Sequence, residues 1–259
     1  MFYRRKLVLA VLEQKGNALA ADRVHAALLG VCAQQKVPSY EFIPVHGACF
    51  SFQLQNDLDL MSRESLLQIN DGICSKKTAQ EFFPQLKKAD QVIVREPAFN
   101  VSVECSVDRT PDDTPALFTI GYEGRSLENY LRLLLERSVT MLCDVRKNAF
   151  SMKFGFSKHQ LKPACEAVGI RYEHIPDLGI ESELRKGIQA VEKTELFRDY
   201  AERTLPAHLH AVNEVLQFIR SGERVALTCF EADHCDCHRG PLSGLLEKLG
   251  KGEVCAQHL

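Results

Sequence analysis

From Leu117 onward the chain alternates between short apolar runs and amphipathic stretches, and that alternation limits the fold more than any other feature of the sequence. Leu117–Tyr122, Val139–Arg146, Ile170–Pro176 and Arg224–Phe230 have strand character. Ser126–Glu136 places Leu127, Tyr130, Leu131, Leu134 and Leu135 on one helical face, and Ser157–Val168 carries a serine at its expected N-cap. Glu195–Ile219 is a long helical stretch interrupted at Pro206, and Leu242–Leu249 closes the series. Strands alternating with helices predict right-handed βαβ units. The expected fold is therefore α/β, a Rossmann-like, mostly parallel sheet flanked by helices. The second and fourth strands are almost continuously apolar, as strands covered on both faces are.

Polar residues collect where these strands end: Gly121, Tyr122 and Glu123; Asp144 and Arg146; His174 and Asp177; Cys229 and Glu231. In open α/β sheets, ligands bind outside the carboxyl ends of the strands. A single acidic residue at such a position is commonly a cap or a turn residue, but four strands delivering polar groups to one edge point to a site. Gly121, Tyr122, Glu123, His174, Asp177 and Cys229 are the candidate substrate contacts. Asp144, Arg146, Glu231, Cys237, His238 and Arg239 are the candidate catalytic residues.

The same residues carry a resemblance. Thr119-Ile120-Gly121-Tyr122, Asp144-Val145-Arg146, Phe156-Ser157-Lys158 opening a helix, the run from Gly169 through His174 and Asp177 to Gly179, and Cys229-Phe230-Glu231 followed by Cys237-His238-Arg239 occur in one order. That series resembles the bacterial family catalogued as domain of unknown function 488, over about residues 117–250. The resemblance implies a Rossmann-like fold with these residues as its site, and no general activity comes with it. The family usually places acidic and proline residues ahead of the Cys-His-Arg. This chain has Ala232-Asp233-His234-Cys235-Asp236 there, so His234 and Cys235 would add metal affinity particular to it.

Cys237 falls where the last helix should begin, a position whose free N–H groups and dipole favour anions. Beside His238 and Arg239, its thiol would ionise readily. Arg146 and Arg239 suit a phosphate or carboxylate held by paired hydrogen bonds. Asp144 and Glu231 suit acid–base work or the orientation of a ribose. The expected ligand is a nucleotide or other phosphate-bearing small molecule, with Cys237 as candidate nucleophile. A Cys-x5-Arg phosphatase loop is excluded, because Cys235 to Arg239 leaves three intervening residues and Cys237 to Arg239 leaves one. Neither the Gly-x-Gly-x-x-Gly nor the Gly-x4-Gly-Lys-Ser/Thr phosphate loop is present. Zinc is the candidate cofactor. Cys229, His234, Cys235, Cys237 and His238 offer enough ligands, though in one local cluster without the distant second pair usual in structural zinc sites. An inert reading also stays open, in which Cys229 packs, Arg239 pairs with Asp144 and the edge is a salt-bridged rim.

The segment Pro97–Pro115, rich in Ser, Asp, Thr and Pro, predicts a seam. The expected organisation is a smaller, mainly helical domain over 1–100, a linker over 101–115 and the α/β domain over 116–259. Arg4–Gln14, Ala21–Leu29 and Phe52–Met61 have helical spacing, while Phe42-Ile43-Pro44 and Gln91–Val94 look like short strands. That order suits a winged helix-turn-helix arrangement. Tyr40–Pro44, with Gly47 and Phe50–Leu54, resembles modules of that type in toxin–antitoxin and phage-related proteins. In such a module Arg4, Arg5, Lys6, Lys76 and Lys77 would contact the backbone of DNA. Otherwise they are solvated charges on a domain that binds protein or braces its neighbour. Residues 1–100 carry 12 basic and 10 acidic groups, too even a balance to make an electrostatic case for nucleic acid.

With 259 residues, 45% hydrophobic and 25% charged, and a net charge of −2, the composition excludes a disordered chain or a coiled-coil rod. No apolar run approaches the roughly 20 residues of a membrane span. The basic start at Met1–Leu7 is followed by an apolar stretch broken at Glu13, with no cleavage site. A cytosolic location without a membrane partner is expected, with the ten cysteines reduced. Cys32, Cys49, Cys74, Cys105, Cys143, Cys165 and Cys255 are expected as packing residues. The first functional expectation is an enzyme acting on a nucleotide-like or nucleic-acid substrate, as in DNA repair or phage defence. Two others stand beside it: a DNA-binding regulator whose α/β domain senses a small anionic ligand, and a cysteine-based redox or metal sensor.

Overall fold

The computed structural model describes residues 1–95, 107, 114–181, 184 and 190–259. The chain divides into two compact units, Met1–Ser106 and Val107–Leu259. Most of the expected linker, and Cys105 with it, lies outside the described residues.

In the N-terminal unit, α1 (Tyr3–Gln14) and α2 (Ala21–Cys32) flank the short strand β1 (Ala18–Ala20). A hairpin of β2 (Ile43–Val45) and β3 (Ala48–Phe50) leads into α3 (Phe52–Arg63), whose N-cap Ser51 accepts the amide of Leu54 at 3.2 Å. A second hairpin, β4 (Leu67–Asn70) and β5 (Ile73–Lys76), places β5 between β4 and β1 in an antiparallel three-stranded sheet. Both hairpins turn through a pair of positive-φ residues, His46-Gly47 and Asp71-Gly72, the geometry that matches the twist of paired strands. Leu7–Leu12 of α1 pack with Val24, Leu28, Leu54, Leu58 and Met61 to form the core.

The last described element of the unit is α4 (Lys88–Arg95), which corrects the strand expected over Gln91–Val94. The β-branched residues there mimic a strand, but Asp90 and Val94 are buried one helical turn apart while Val92 is exposed. Buried Asp90 accepts from the Tyr3 hydroxyl (2.5 Å) and the Gln35 amide (2.7 Å). The basic residues expected to face DNA divide in two. Asp57, fully buried on α3, accepts from Arg4 (2.5 Å), Arg5 (2.9 Å) and the Tyr40 hydroxyl (3.1 Å). Arg5 also pairs with Glu64 at 3.1 Å, and Lys76 with Glu13 at 2.9 Å. Arg4, Arg5 and Lys76 are thus committed to internal ion pairs, whereas Lys77 is exposed and Lys6 half-buried.

The C-terminal unit is built on β6 (Ala116–Gly121), β7 (Met141–Asp144), β8 (Arg171–His174), β9 (Arg224–Cys229) and β10 (Ala256–His258). They form one wholly parallel sheet in the order β10-β6-β9-β7-β8. The fifth strand is absent from the sequence reading because Ala-Gln-His has no apolar signature; it adds an edge beside β6. The helices are α5 (Leu127–Glu136), α6 (Lys158–Ala167), α7 (Ala190–Asp199), α8 (Leu209–Arg220) and α9 (Arg239–Leu249). Met141, Cys143, Val225 and Leu227 share a core with Val212, Val215 and Leu216 of α8 and Leu242 and Leu246 of α9. The alternate residues face the other layer, where Tyr130 of α5 donates to Thr228 at 2.7 Å.

The helix expected across Glu195–Ile219 is broken, two residues beyond its proline. A π-helical segment, Tyr200–Thr204, and a helical turn, Leu205–Ala207, separate α7 from α8. Pro206 lies in that turn, which directly follows the π-helical segment, and the backbone stays helical through Thr204 and Leu205. The break falls at His208 (φ −115°, ψ 33°). Ser157 does occupy the N-cap of α6, yet its hydroxyl is not the cap: it donates to the Ser151 carbonyl (2.9 Å) and accepts the Ser151 amide (3.0 Å).

Cys32, Cys74, Cys143 and Cys165 are buried, and burial pushes all four thiols up, as suits packing residues. Cys49 is half-buried. Cys255 is exposed, which corrects the packing role expected for it. Among the described residues no helix is long and apolar enough to cross a membrane.

Candidate functional site

The carboxyl edge of the sheet is drawn together by two close backbone approaches. A Cβ on Gly121 would stand 1.8 Å from the Glu231 carbonyl oxygen, and one on Gly179 2.1 Å from the Lys147 amide nitrogen. Only glycine lets the loops after β9 and β7 come so near. Glu123 braces the same place, accepting the Ala232 amide at 3.0 Å.

Two knots of polar residues lie behind this edge. In the first, Asp144 is fully buried and Arg146 nearly so. The guanidinium holds the carboxylate through Nε (2.8 Å) and a terminal nitrogen (2.5 Å), and Tyr172 donates its hydroxyl to the same carboxylate at 2.6 Å. The other terminal nitrogen of Arg146 donates to the Tyr122 hydroxyl (3.0 Å) and the Phe156 carbonyl (2.8 Å). Tyr122 stacks on Phe156 with centroids 4.4 Å apart. Burial would lower Arg146, but the Asp144 carboxylate overrides it and keeps the guanidinium charged. Burial and the same carboxylate push the Tyr172 hydroxyl up. Every strong hydrogen-bonding group in this knot already has a protein partner. Its geometry suits a brace for the strand ends better than the substrate contact or acid–base group expected from the sequence.

The second knot joins the end of β9 to the start of α9. His238 Nε2 faces the Val145 carbonyl at 2.9 Å, so that nitrogen carries a proton in either charge state. Its Nδ1 points to two sulfurs, Cys229 and Cys237, each at 3.7 Å. Cys229 lies 3.3 Å from a Glu231 carboxylate oxygen. Arg239, with no exposed surface, donates Nε to Cys237 Sγ at 3.2 Å and a terminal nitrogen to the Glu231 carbonyl. Among the described residues no carboxylate pairs with Arg239. The expected partner on the inert reading, Asp144, belongs to Arg146 instead. Burial would raise the Cys237 thiol. Hydrogen bonding with Cys229 and His238, together with the charges of His238 and Arg239, outweighs it and holds the thiol well below the usual range.

The expected five-ligand metal cluster separates into two groups. Cys229, Cys237 and His238 converge, buried, with their ligand atoms within 4.8 Å of one another, whereas His234 and Cys235 group with Asp233 at the surface. The His234 ring stacks on His258. Cys235 and His234 are therefore neighbours of the buried centre in sequence but not members of it.

His174 donates to or accepts from other groups again: Nε2 faces the Arg146 carbonyl at 2.9 Å and Nδ1 faces Lys158 at 3.4 Å. It borders a cavity of about 680 Å³ lined by the lysines Lys147, Lys158 and Lys162, the histidines His159 and His174, and Glu166 as its acidic member. A second cavity, about 160 Å³, shares Lys147 and includes Asp177, Leu196 and His208. A third, also about 160 Å³, shares Leu196 and reaches Lys193, Glu231, Cys237 and His238. The three follow one another along the carboxyl edge. Sequence reasoning missed Lys147, Lys162 and His208, and named Lys158 only within the family resemblance. The signals were present, in Lys158 and Lys162 one helical turn apart and in the His-x-His at 208–210, but both were absorbed into helices read as scaffold.

These features define the class: an α/β unit with a parallel sheet whose carboxyl edge gathers thiol, imidazole and guanidinium groups. Residues 126–246, just under half of the chain, are similar to the family whose model is described as Domain of unknown function DUF488. No curated protein and no solved structure matches the chain.

Proposed function

We propose that the C-terminal unit is an enzyme in which Cys237 is the nucleophile toward a nucleotide-like or otherwise phosphate-bearing substrate. The observation that carries this reading is the fully buried Arg239, whose guanidinium donates to Cys237 Sγ and has no carboxylate partner among the described residues. An arginine stays protonated at any working pH, so a thiolate is the natural counter-charge. The step it suits is a displacement. The Cys237 sulfur bonds to the electrophilic atom, and the leaving group departs with the electron pair, taking the Nδ1 proton of His238. Water then displaces the sulfur and returns the proton. The cationic cavity beside Lys147, Lys158 and Lys162 supports the phosphate-bearing substrate class.

Iodoacetamide labelling with peptide mapping tests the nucleophile. At about pH 6, well below the ordinary thiol range near 8.5, Cys237 is expected to label faster than the exposed Cys235 and Cys255, and a panel of nucleotide and phosphoester substrates should lose turnover in Cys237→Ser. Labelling that favours Cys235 or Cys255 throughout sinks the proposal. A second reading has its own observation, the convergence of Cys229, Cys237 and His238 around a point a zinc ion would suit. In that case Cys237 is protected as purified and becomes reactive after chelation.

For the N-terminal unit we infer a winged-helix-like module that contacts DNA. The support is its order of helix, strand, helix, hairpin, helix and hairpin, with the last hairpin in the three-stranded sheet. Because Arg4, Arg5 and Lys76 are spent internally, the backbone charge left from the expected set is that of Lys6 and Lys77. Affinity for duplex DNA should then fall with salt with a slope of only about −2, and a Lys6→Glu/Lys77→Glu variant should lose it. Fluorescence anisotropy over a salt series measures this; no binding at low salt, or a variant that binds like the parent, contradicts it.

A further inference from the structure

Asp177, His208 and His210 lie outside both polar knots, yet their ligand atoms converge. His210 Nε2 lies 3.2 Å and His208 Nδ1 3.7 Å from the same oxygen, Asp177 Oδ2, and all three atoms are within 4.8 Å of one another. Protein hydrogen bonding accounts for only part of this. His208 Nδ1 is buried and has no hydrogen-bond partner, because 3.7 Å is too long for one. A ring nitrogen shut away from water without a partner is unusual enough to need a cause. Ligands about 2.0–2.1 Å from a tetrahedral ion stand roughly 3.3–3.4 Å from each other, and the two observed separations bracket that distance.

The three groups are held by separate, anchored pieces of backbone. Asp177 sits in the 3-10 turn Pro176–Leu178 after β8, where the Leu178 carbonyl accepts the Tyr200 hydroxyl at 2.6 Å. His208 occupies the break before α8, its amide bonded to Thr204 and its carbonyl to Ala211. His210 lies in the first turn of α8. A π-helical segment, Tyr200–Thr204, lies one helical turn before the break; such irregular turns recur at functional sites. Asp177 and His208 both line the middle cavity of about 160 Å³ along the sheet edge, which leaves room for a further ligand.

We propose that Asp177, His208 and His210 form a binding site for a divalent transition metal, a two-histidine, one-carboxylate site open to that cavity. Two imidazoles and one carboxylate favour zinc, cobalt, nickel or iron over calcium and magnesium, which take oxygen ligands. The site shares no residue with the Cys237 centre and does not depend on the function proposed for it.

Cobalt(II) separates the two centres, since thiolate ligands add a charge-transfer band that nitrogen and oxygen ligands do not. The full chain, stripped with chelator, is titrated with cobalt and followed by visible absorption. The expected result is a d–d band saturating near one equivalent, with affinity reduced at least ~100-fold in His210→Ala and Asp177→Asn, more than an outer-shell change would cause. His210 is largely exposed, so its variant should keep the circular dichroism of the parent. A band that neither variant weakens, or a spectrum with thiolate charge transfer as its only feature, overturns the site.

Discussion

Asp144→Ala is expected to destabilise the C-terminal unit by about 3–5 kcal/mol, the range for removing one member of a buried ion pair. Asp144 is fully buried, and its carboxylate takes two bonds from Arg146 and one from Tyr172. Without it, the guanidinium keeps only the Tyr122 hydroxyl and the Phe156 carbonyl, and the Tyr172 hydroxyl loses its acceptor. The cost comes from the charge left behind rather than from the worth of the pair. Asp144→Leu/Arg146→Met, which removes both charges and keeps apolar volume, should therefore recover most of the loss. Urea denaturation followed by far-UV circular dichroism measures both variants; the chain has no tryptophan to report otherwise. If Asp144→Ala unfolds within about 1 kcal/mol of the parent while turnover disappears, Asp144 is a chemical participant and the bracing role is wrong.

That brace marks how far the sequence is legible. Asp144 and Arg146 stand at the end of an apolar strand, and from their positions alone it follows that they belong to the carboxyl edge. Whether they face solvent or one another depends on Tyr172, from the next strand, and Tyr122 and Phe156, from loops. Those distances exist only after the sheet order is set. The alternation of strands and helices gave four of the five strands, because covered strands must be apolar to be buried. β10 escaped because an edge strand of three residues needs backbone pairing and no apolar face. Gln91–Val94 escaped in the opposite sense: β-branched residues suggested a strand, and packing of Asp90 and Val94 against the unit's core imposed a helix. The His208 break was hidden by Pro206, the expected breaker two residues earlier.

The difference in stability between the parent chain and Cys237→Ser is expected to grow as pH rises toward about 8.5–9, with a slope approaching ~1.4 kcal/mol per pH unit. Burial alone raises a thiol, as it does for Cys143 and Cys165 in the same unit. At Cys237 the hydrogen bonds with Cys229 and His238 and the charges of His238 and Arg239 reverse that direction. A thiol whose folded value lies below its unfolded value of about 8.5 binds fewer protons in the native state between the two. Its contribution is thus fully present above the unfolded value and is lost as pH falls through the folded one. Serine cannot ionise, so the same denaturation series on Cys237→Ser supplies the baseline. Arg239→Met should narrow the window from its lower edge by removing the guanidinium 3.2 Å from the sulfur. A parent whose advantage over Cys237→Ser grows toward low pH would mean that burial wins at Cys237 as it does at Cys143. The buried guanidinium would then be neutralised by something other than this thiolate, and the nucleophile would have to be sought elsewhere along the edge.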